Sequence, residues 1–191
     1  MLFRSGGATA SFRAQAGAFA GDHKLFGFYI TDEPDPSSCP ASAIRAEDAW
    51  IHAHVPGART FAILQNLGAD DSPDFTAYTP DGTGLDLIGL DPYPVISGGS
   101  PDYREIAGYA AAARAAGWPT SRIVPVYQTF GGSSEGDWVL PTPGQERVML
   151  AAWKAVTPAP VFDYAYSWGS QDGDTGLAQS PSLRSIFAAK N

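Results

Sequence analysis

The sequence predicts an α/β fold in which parallel strands curl toward a barrel, and three observations lead there. Five short runs rich in β-branched and aromatic residues, at 25–31, 60–66, 85–91, 123–129 and 162–168, alternate with segments of helical character. Such alternation calls for parallel strands joined by right-handed crossovers. No glycine-rich phosphate loop follows the first run. Thr31-Asp32-Glu33-Pro34 is acidic and offers no backbone nest for an anion, which argues against an open nucleotide-binding sheet. Aromatic residues also collect at the C-terminal ends of the runs, which favours the barrel.

The elements follow in order. Residues 11–19 form a helix ahead of the first strand. The first strand, 25–31, runs from apolar residues straight into Asp32, Glu33 and Pro34, so two carboxylates sit where it leaves the core. That edge of an α/β sheet is where ligands bind. Helix 41–55 carries Ile44, Trp50 and Ile51 among polar residues. Residues 71–84 read as a loop, with one helical turn around 75–78. Helix 103–116 is alanine-rich and stops at Gly117. Helix 143–156 opens on Pro143 with Thr142 as its cap, and 182–189 follows Ser180 and Pro181 in the same way. Gly131 to Gly136 is glycine-rich but opens no helix, and it reads as a mobile rim loop.

Composition narrows the function. A chain of 191 residues, 44% hydrophobic, can bury a sizeable core and reads as a single domain over 1–191. The formal charge is −8 and the basic residues are scattered, so nucleic acid is not an expected partner. No apolar run is long enough to span a bilayer, and residues 1–20 lack the apolar block of a signal peptide, so no membrane partner is expected. The one cysteine, Cys39, excludes an intrachain disulfide, and no histidine follows it at a spacing that suggests a catalytic thiol. His52 and His54 lie two residues apart on a helix, point to different faces and read as surface residues, and His23 precedes the first strand at the wrong end of the sheet. No cofactor and no metal are expected.

The chemistry-bearing residues are carboxylates with aromatic neighbours. Tyr29, Tyr93, Tyr127, Phe130, Tyr166 and Trp168 lie near strand ends, and Trp138 lies on a loop above them. Aromatic faces stack on the C–H faces of sugar rings, and acids beside them bind hydroxyls. About half of these aromatics are expected in the core, Tyr29 and Tyr166 first. Gln65, Asn66 and Gln128 are hydroxyl-binding amides in this reading, and Gln171, Asp172 and Asp174 extend the site beyond the last strand. Asp32 and Glu33 are adjacent, so both reach one site only if the chain bends at Pro34.

Four motifs together resemble the (β/α)8 glycoside hydrolases. Phe28-Tyr29-Ile30-Thr31-Asp32-Glu33-Pro34 resembles the end of a fourth barrel strand, where the large clan of retaining enzymes carries Asn-Glu-Pro. Residues 87–94, 123–132 and 164–168 look like strands six, seven and eight. The resemblance implies a partial (β/α)8, TIM-type barrel of about five parallel strands with flanking helices, beginning near the third helix. Five strands cannot close such a barrel, so self-association that covers open sheet edges is expected. The resemblance further implies a carbohydrate substrate, export from the cell as in most such hydrolases, and a cis peptide before Trp168.

The roles implied are Glu33 as general acid, Asp32 as its ionised partner and Asp91 as base or stabiliser. Asn66, Tyr93, Tyr127, Gln128, Trp138 and Trp168 are the expected sugar-binding residues. The seventh strand departs from the retaining clan: Gln128 and Thr129 stand where a nucleophilic glutamate belongs, with Glu135 nearby in the loop. An adjacent Asp-Glu pair instead resembles the substrate-assisted hexosaminidases, in which the substrate's acetamido group is the nucleophile. For Glu33 with Asp91 as the couple, a separation of about 5–5.5 Å implies retention and roughly 6.5–9.5 Å inversion. Two other readings remain: a sugar-binding barrel without catalysis, and a metal-dependent hydrolase that uses Asp32, Glu33 and Asp91.

Overall fold

The computed structural model describes residues 7–132 and 136–190. The order is α1 (Ala10–Gly17), β1 (Gly27–Asp32), α2 (Ala41–His54), β2 (Arg59–Ile63), α3 (Pro80–Thr83), β3 (Leu87–Leu90), α4 (Arg104–Ala115), β4 (Ile123–Gln128), α5 (Pro143–Val156), β5 (Tyr164–Tyr166) and α6 (Pro181–Lys190). The five strands pair in sequence order, every pair parallel. Sequential parallel order with right-handed crossovers places the helices on one face, the winding of a barrel and not of a doubly wound sheet. The fold is a half-barrel with flanking helices, as the sequence predicts.

Alternation along the strands separates two apolar layers. Ile30, Ala62, Ile88, Leu90, Ile123 and Tyr127 face the helices and pack with residues such as Ile44, Ile51, Ile106, Met149 and Trp153. Phe61, Ile63, Leu87, Val124 and Val126 face the concave side, where Tyr29, Tyr93, Phe162, Tyr164 and Tyr166 cover them. Gly89 lies on that concave face. A Cβ there would stand 2.8 Å from Ile63, 2.9 Å from Phe61 and 3.1 Å from Val126, so only glycine lets the curled sheet close over its own side chains. Phe162, just ahead of β5, reaches across the concave face, with ring centroids 5.6 Å from Phe26 just ahead of β1 and 5.1 Å from Phe61 of β2.

Local chemistry accounts for the helix ends. Thr142 accepts from the Gln145 N–H while the Gln145 side chain accepts from the Thr142 N–H, and Pro143 occupies the first turn of α5. The segment expected as a loop with one turn holds a 3₁₀ turn at Thr76–Tyr78 and also the short helix α3. Thr79 caps α3 and a left-handed Gly84 ends it. A helix of one turn shows no periodicity, so the pattern missed it. Cys39 is buried, its thiol pushed up to about 11 by burial, which suits packing and not nucleophilic chemistry.

Candidate functional site

The C-terminal ends of the strands surround a cavity of about 400 Å³. Asp32 and Glu33 come to it from the end of β1, Asp91 from the end of β3, Tyr93 from the following turn, and Trp138 from the loop after β4. Two local backbone features put both acids of β1 there. In the β1–β2 ladder, Tyr29 pairs with Phe61 and Thr31 with Ala62, so Ile30 is an extra residue. Ile30 lies in the helix-side core, and Thr31 lies against Cys39 on that same side. The bulge therefore returns Asp32 to the face that carries Tyr29, three residues earlier, and the Tyr29 hydroxyl donates to Asp32 Oδ1. Glu33 then adopts φ +41°, a left-handed conformation unusual for a residue with a Cβ. The bend comes one residue before Pro34, and a bulge that hydrophobic patterning does not reveal accompanies it.

The acids are electrostatically joined. Asp91 is buried, and its carboxyl hydrogen-bonds that of Glu33. Burial and the charges of Glu33 and Asp32 hold Asp91 well above the usual carboxylate range. Glu33 is also raised, by burial first and by the Asp32 charge second, while the proton donated by Asp91 works the other way. The two carboxyls therefore titrate as one coupled pair in which the protonated form is favoured. Tyr29 and Tyr93 are pushed above their ordinary range, by burial first and then by these acids, so both stay as hydroxyl donors.

Aromatic side chains form the walls. Tyr93 stacks near Tyr166 at 6.3 Å between centroids, and its ring meets the edge of Phe130 at 5.0 Å and of Trp138 at 6.1 Å. The Tyr166 hydroxyl donates to Gln171 Oε1 at 2.9 Å. Tyr29 and Tyr166, expected in the core, line the cavity instead, together with Tyr164 and with Gln171, Asp172 and Asp174. Only the bulge, and the curl that brings β5 toward β1, reveal them.

Four of the expected sugar-binding residues stand outside the cavity lining. Asn66 organises its own loop: Oδ1 accepts from Gly68 N–H at 2.9 Å and Asp74 N–H at 3.0 Å. Gln128 is fully buried and spent on the backbone, accepting from Val95 N–H and donating to Val95 O, both at 2.9 Å. Tyr127 faces the helix layer, where its hydroxyl donates to Asp163 at 3.3 Å. Trp168 is 64% exposed and is not part of the cavity lining. The cis peptide lies at Tyr166–Ser167, one bond before the expected place. Glu135 lies outside the described residues. Among those described, the group of three side chains placed to share a metal ion is Asp48, His52 and Asp86, not Asp32, Glu33 and Asp91.

No family model matches the chain, and no curated protein matches it significantly. Solved structures do. A GH18 chitinase from Flavobacterium johnsoniae superposes with a TM-score of 0.58 at 11% identity, over 94% of this chain and 64% of its own. A putative α-L-fucosidase from Bacteroides thetaiotaomicron gives 0.56 at 16%, over 93% and 56%. A β-galactosidase from the psychrophilic Marinomonas ef1 gives 0.55 at 15%, over 95% and 33%. The chain therefore spans between a third and two thirds of these proteins. At such identity the likeness establishes the fold alone, a TIM-type (β/α) barrel, here as a half-barrel.

Proposed function

We propose that this protein hydrolyses a glycosidic bond in a poly- or oligosaccharide, with Glu33 as general acid. The observation that carries the reading is the coupled pair Glu33 and Asp91 beside Asp32, in an aromatic-walled cavity at the C-terminal ends of the strands. In this reading the pair holds a proton in the free site. Entry of a sugar excludes water and brings the leaving oxygen against Glu33, which takes the proton along the hydrogen bond and delivers it as the glycosidic bond breaks.

The nucleophile is read from the arrangement of the acids. Glu33 and Asp91 are coupled and act as one proton-holding unit in this reading. Asp32, anchored by the Tyr29 hydroxyl, is left to orient a group of the substrate. A 2-acetamido sugar supplies such a group: its carbonyl oxygen attacks the anomeric carbon as the leaving oxygen departs, and water later opens the ring so formed.

Aryl glycosides that differ only at C2, acetamido against hydroxyl, test this. Turnover confined to the acetamido series, reduced about 10²–10⁴-fold in Glu33→Gln, is the expected result. Saturable oligosaccharide binding without turnover would replace the proposal with a non-catalytic sugar-binding barrel. Absence of both would end it.

A further inference from the structure

We propose that Asp48, His52 and Asp86 bind a divalent transition-metal ion, Zn²⁺ in chemical type, that staples α2 to the N-terminal ends of β2 and β3. These side chains lie at the opposite end of the sheet from the cavity, and neither the fold nor the proposed chemistry assigns them a ligand. One donor atom from each lies within 4.8 Å of the other two. His52 Nε2 is 2.9 Å from Asp86 Oδ2, and His52 Nδ1 is 3.6 Å from Asp48 Oδ2.

The carboxylates are already oriented by hydrogen bonds, as metal ligands usually are. The Thr60 hydroxyl donates to Asp48 Oδ1 at 2.6 Å, and the Thr60 N–H donates to Asp86 Oδ2 at 2.9 Å. Asp48 Oδ2 is thereby turned toward the imidazole. Gly84, at φ +78°, packs against that oxygen so closely that a Cβ there would fall 2.3 Å from it, so a glycine is needed for the carboxylate to take this position. The ion has a route in, because the His52 side chain is 40% exposed while that of Asp48 is 8% exposed.

Arg122 is engaged elsewhere: it donates to the carbonyls of Leu85 and Asp86 and lies over the Trp118 ring at 4.9 Å. An imidazole with two carboxylate oxygens suits Zn²⁺ with water in the fourth position, whereas Mg²⁺ and Ca²⁺ take oxygen ligands. Bonds of about 2.0–2.2 Å place tetrahedral ligands roughly 3.3–3.6 Å apart, so on loading the His52–Asp86 pair, at 2.9 Å, opens slightly while the more distant Asp48 oxygen moves in. The base of a barrel sheet serves stability and not chemistry, so the ion is structural.

Titration of the metal-free chain with ZnCl₂, followed by calorimetry and by thermal unfolding, tests the site. One ion per chain is expected, with a Tm rise of about 5–10 °C at a hundredfold excess over Kd. Binding should weaken at least tenfold in His52→Ala and in Asp86→Asn, the latter keeping an acceptor for the Thr60 N–H. It should be unchanged in Asp91→Asn, which alters the cavity. No saturable uptake would overturn the proposal. So would uptake that survives both His52→Ala and Asp86→Asn, or uptake lost only in Asp91→Asn.

Discussion

Replacing Asp91 by Asn removes a titrating proton from the cavity and keeps a side chain that can still donate to Glu33. Asp91 is 9% exposed, so little solvent screening reduces the effect. Its folded affinity for a proton is well above that of an unfolded aspartate, near pH 4. The stability this proton confers is complete below about pH 4 and is lost as the pH climbs through the raised folded value. Each tenfold of elevated proton affinity is worth about 1.4 kcal/mol. For a chain of this size that corresponds to roughly 3–6 °C in Tm. Wild-type Tm should therefore decline from pH 4 toward neutrality more steeply than that of Asp91→Asn, and the variant should gain relative stability as pH rises. Thermal unfolding by circular dichroism at half-unit pH steps, in one buffer series of constant ionic strength, reads the difference. Parallel curves between pH 4 and 8 would refute the proton held by the coupled pair and, with it, the supply of a proton to Glu33.

Other outcomes follow from the same geometry. Tyr29→Phe removes a hydrogen bond to a charged acceptor, worth about 1.5–3 kcal/mol, so kcat on a cleaved glycoside should fall about tenfold or more with KM little changed. Trp138→Ala strips one wall of the cavity while leaving the acids in place; steady-state kinetics should show KM raised about 3–10-fold at near-constant kcat. Gly89→Ala forces a methyl against Phe61, Ile63 and Val126, and urea unfolding should register a loss of about 1–3 kcal/mol.

Legibility in the sequence followed the range of the interactions. Helix α5 was readable to the residue, because Thr142, Pro143 and Gln145 carry its start in their own side chains. The strands were readable because each is a short apolar run, although β5 proved only three residues long, Tyr164–Tyr166. Asp32, Glu33, Asp91 and Tyr93 stood out by their position just past strands, and Trp138 by its loop above those ends. Gln128 and Tyr127 show the failure: both lie at a strand end, yet one is consumed by Val95 and the other faces the helices. Which face a residue takes depends on register, and a single bulge inverts it. The contact between Glu33 and Asp91, 58 positions apart, arises only from the curvature of the sheet.

The sequence alone determined the repeating strand–helix order, the parallel pairing it calls for and the acid-rich edge, since periodicity, caps and turn residues are local properties of the chain; the partial barrel came from the resemblance of its strand-end motifs. Tertiary structure decided the extra residue at Ile30, the left-handed Glu33 and the coupling of Glu33 with Asp91. Those depend on how neighbouring strands align and on how far water is excluded, and neither quantity exists until the sheet has formed.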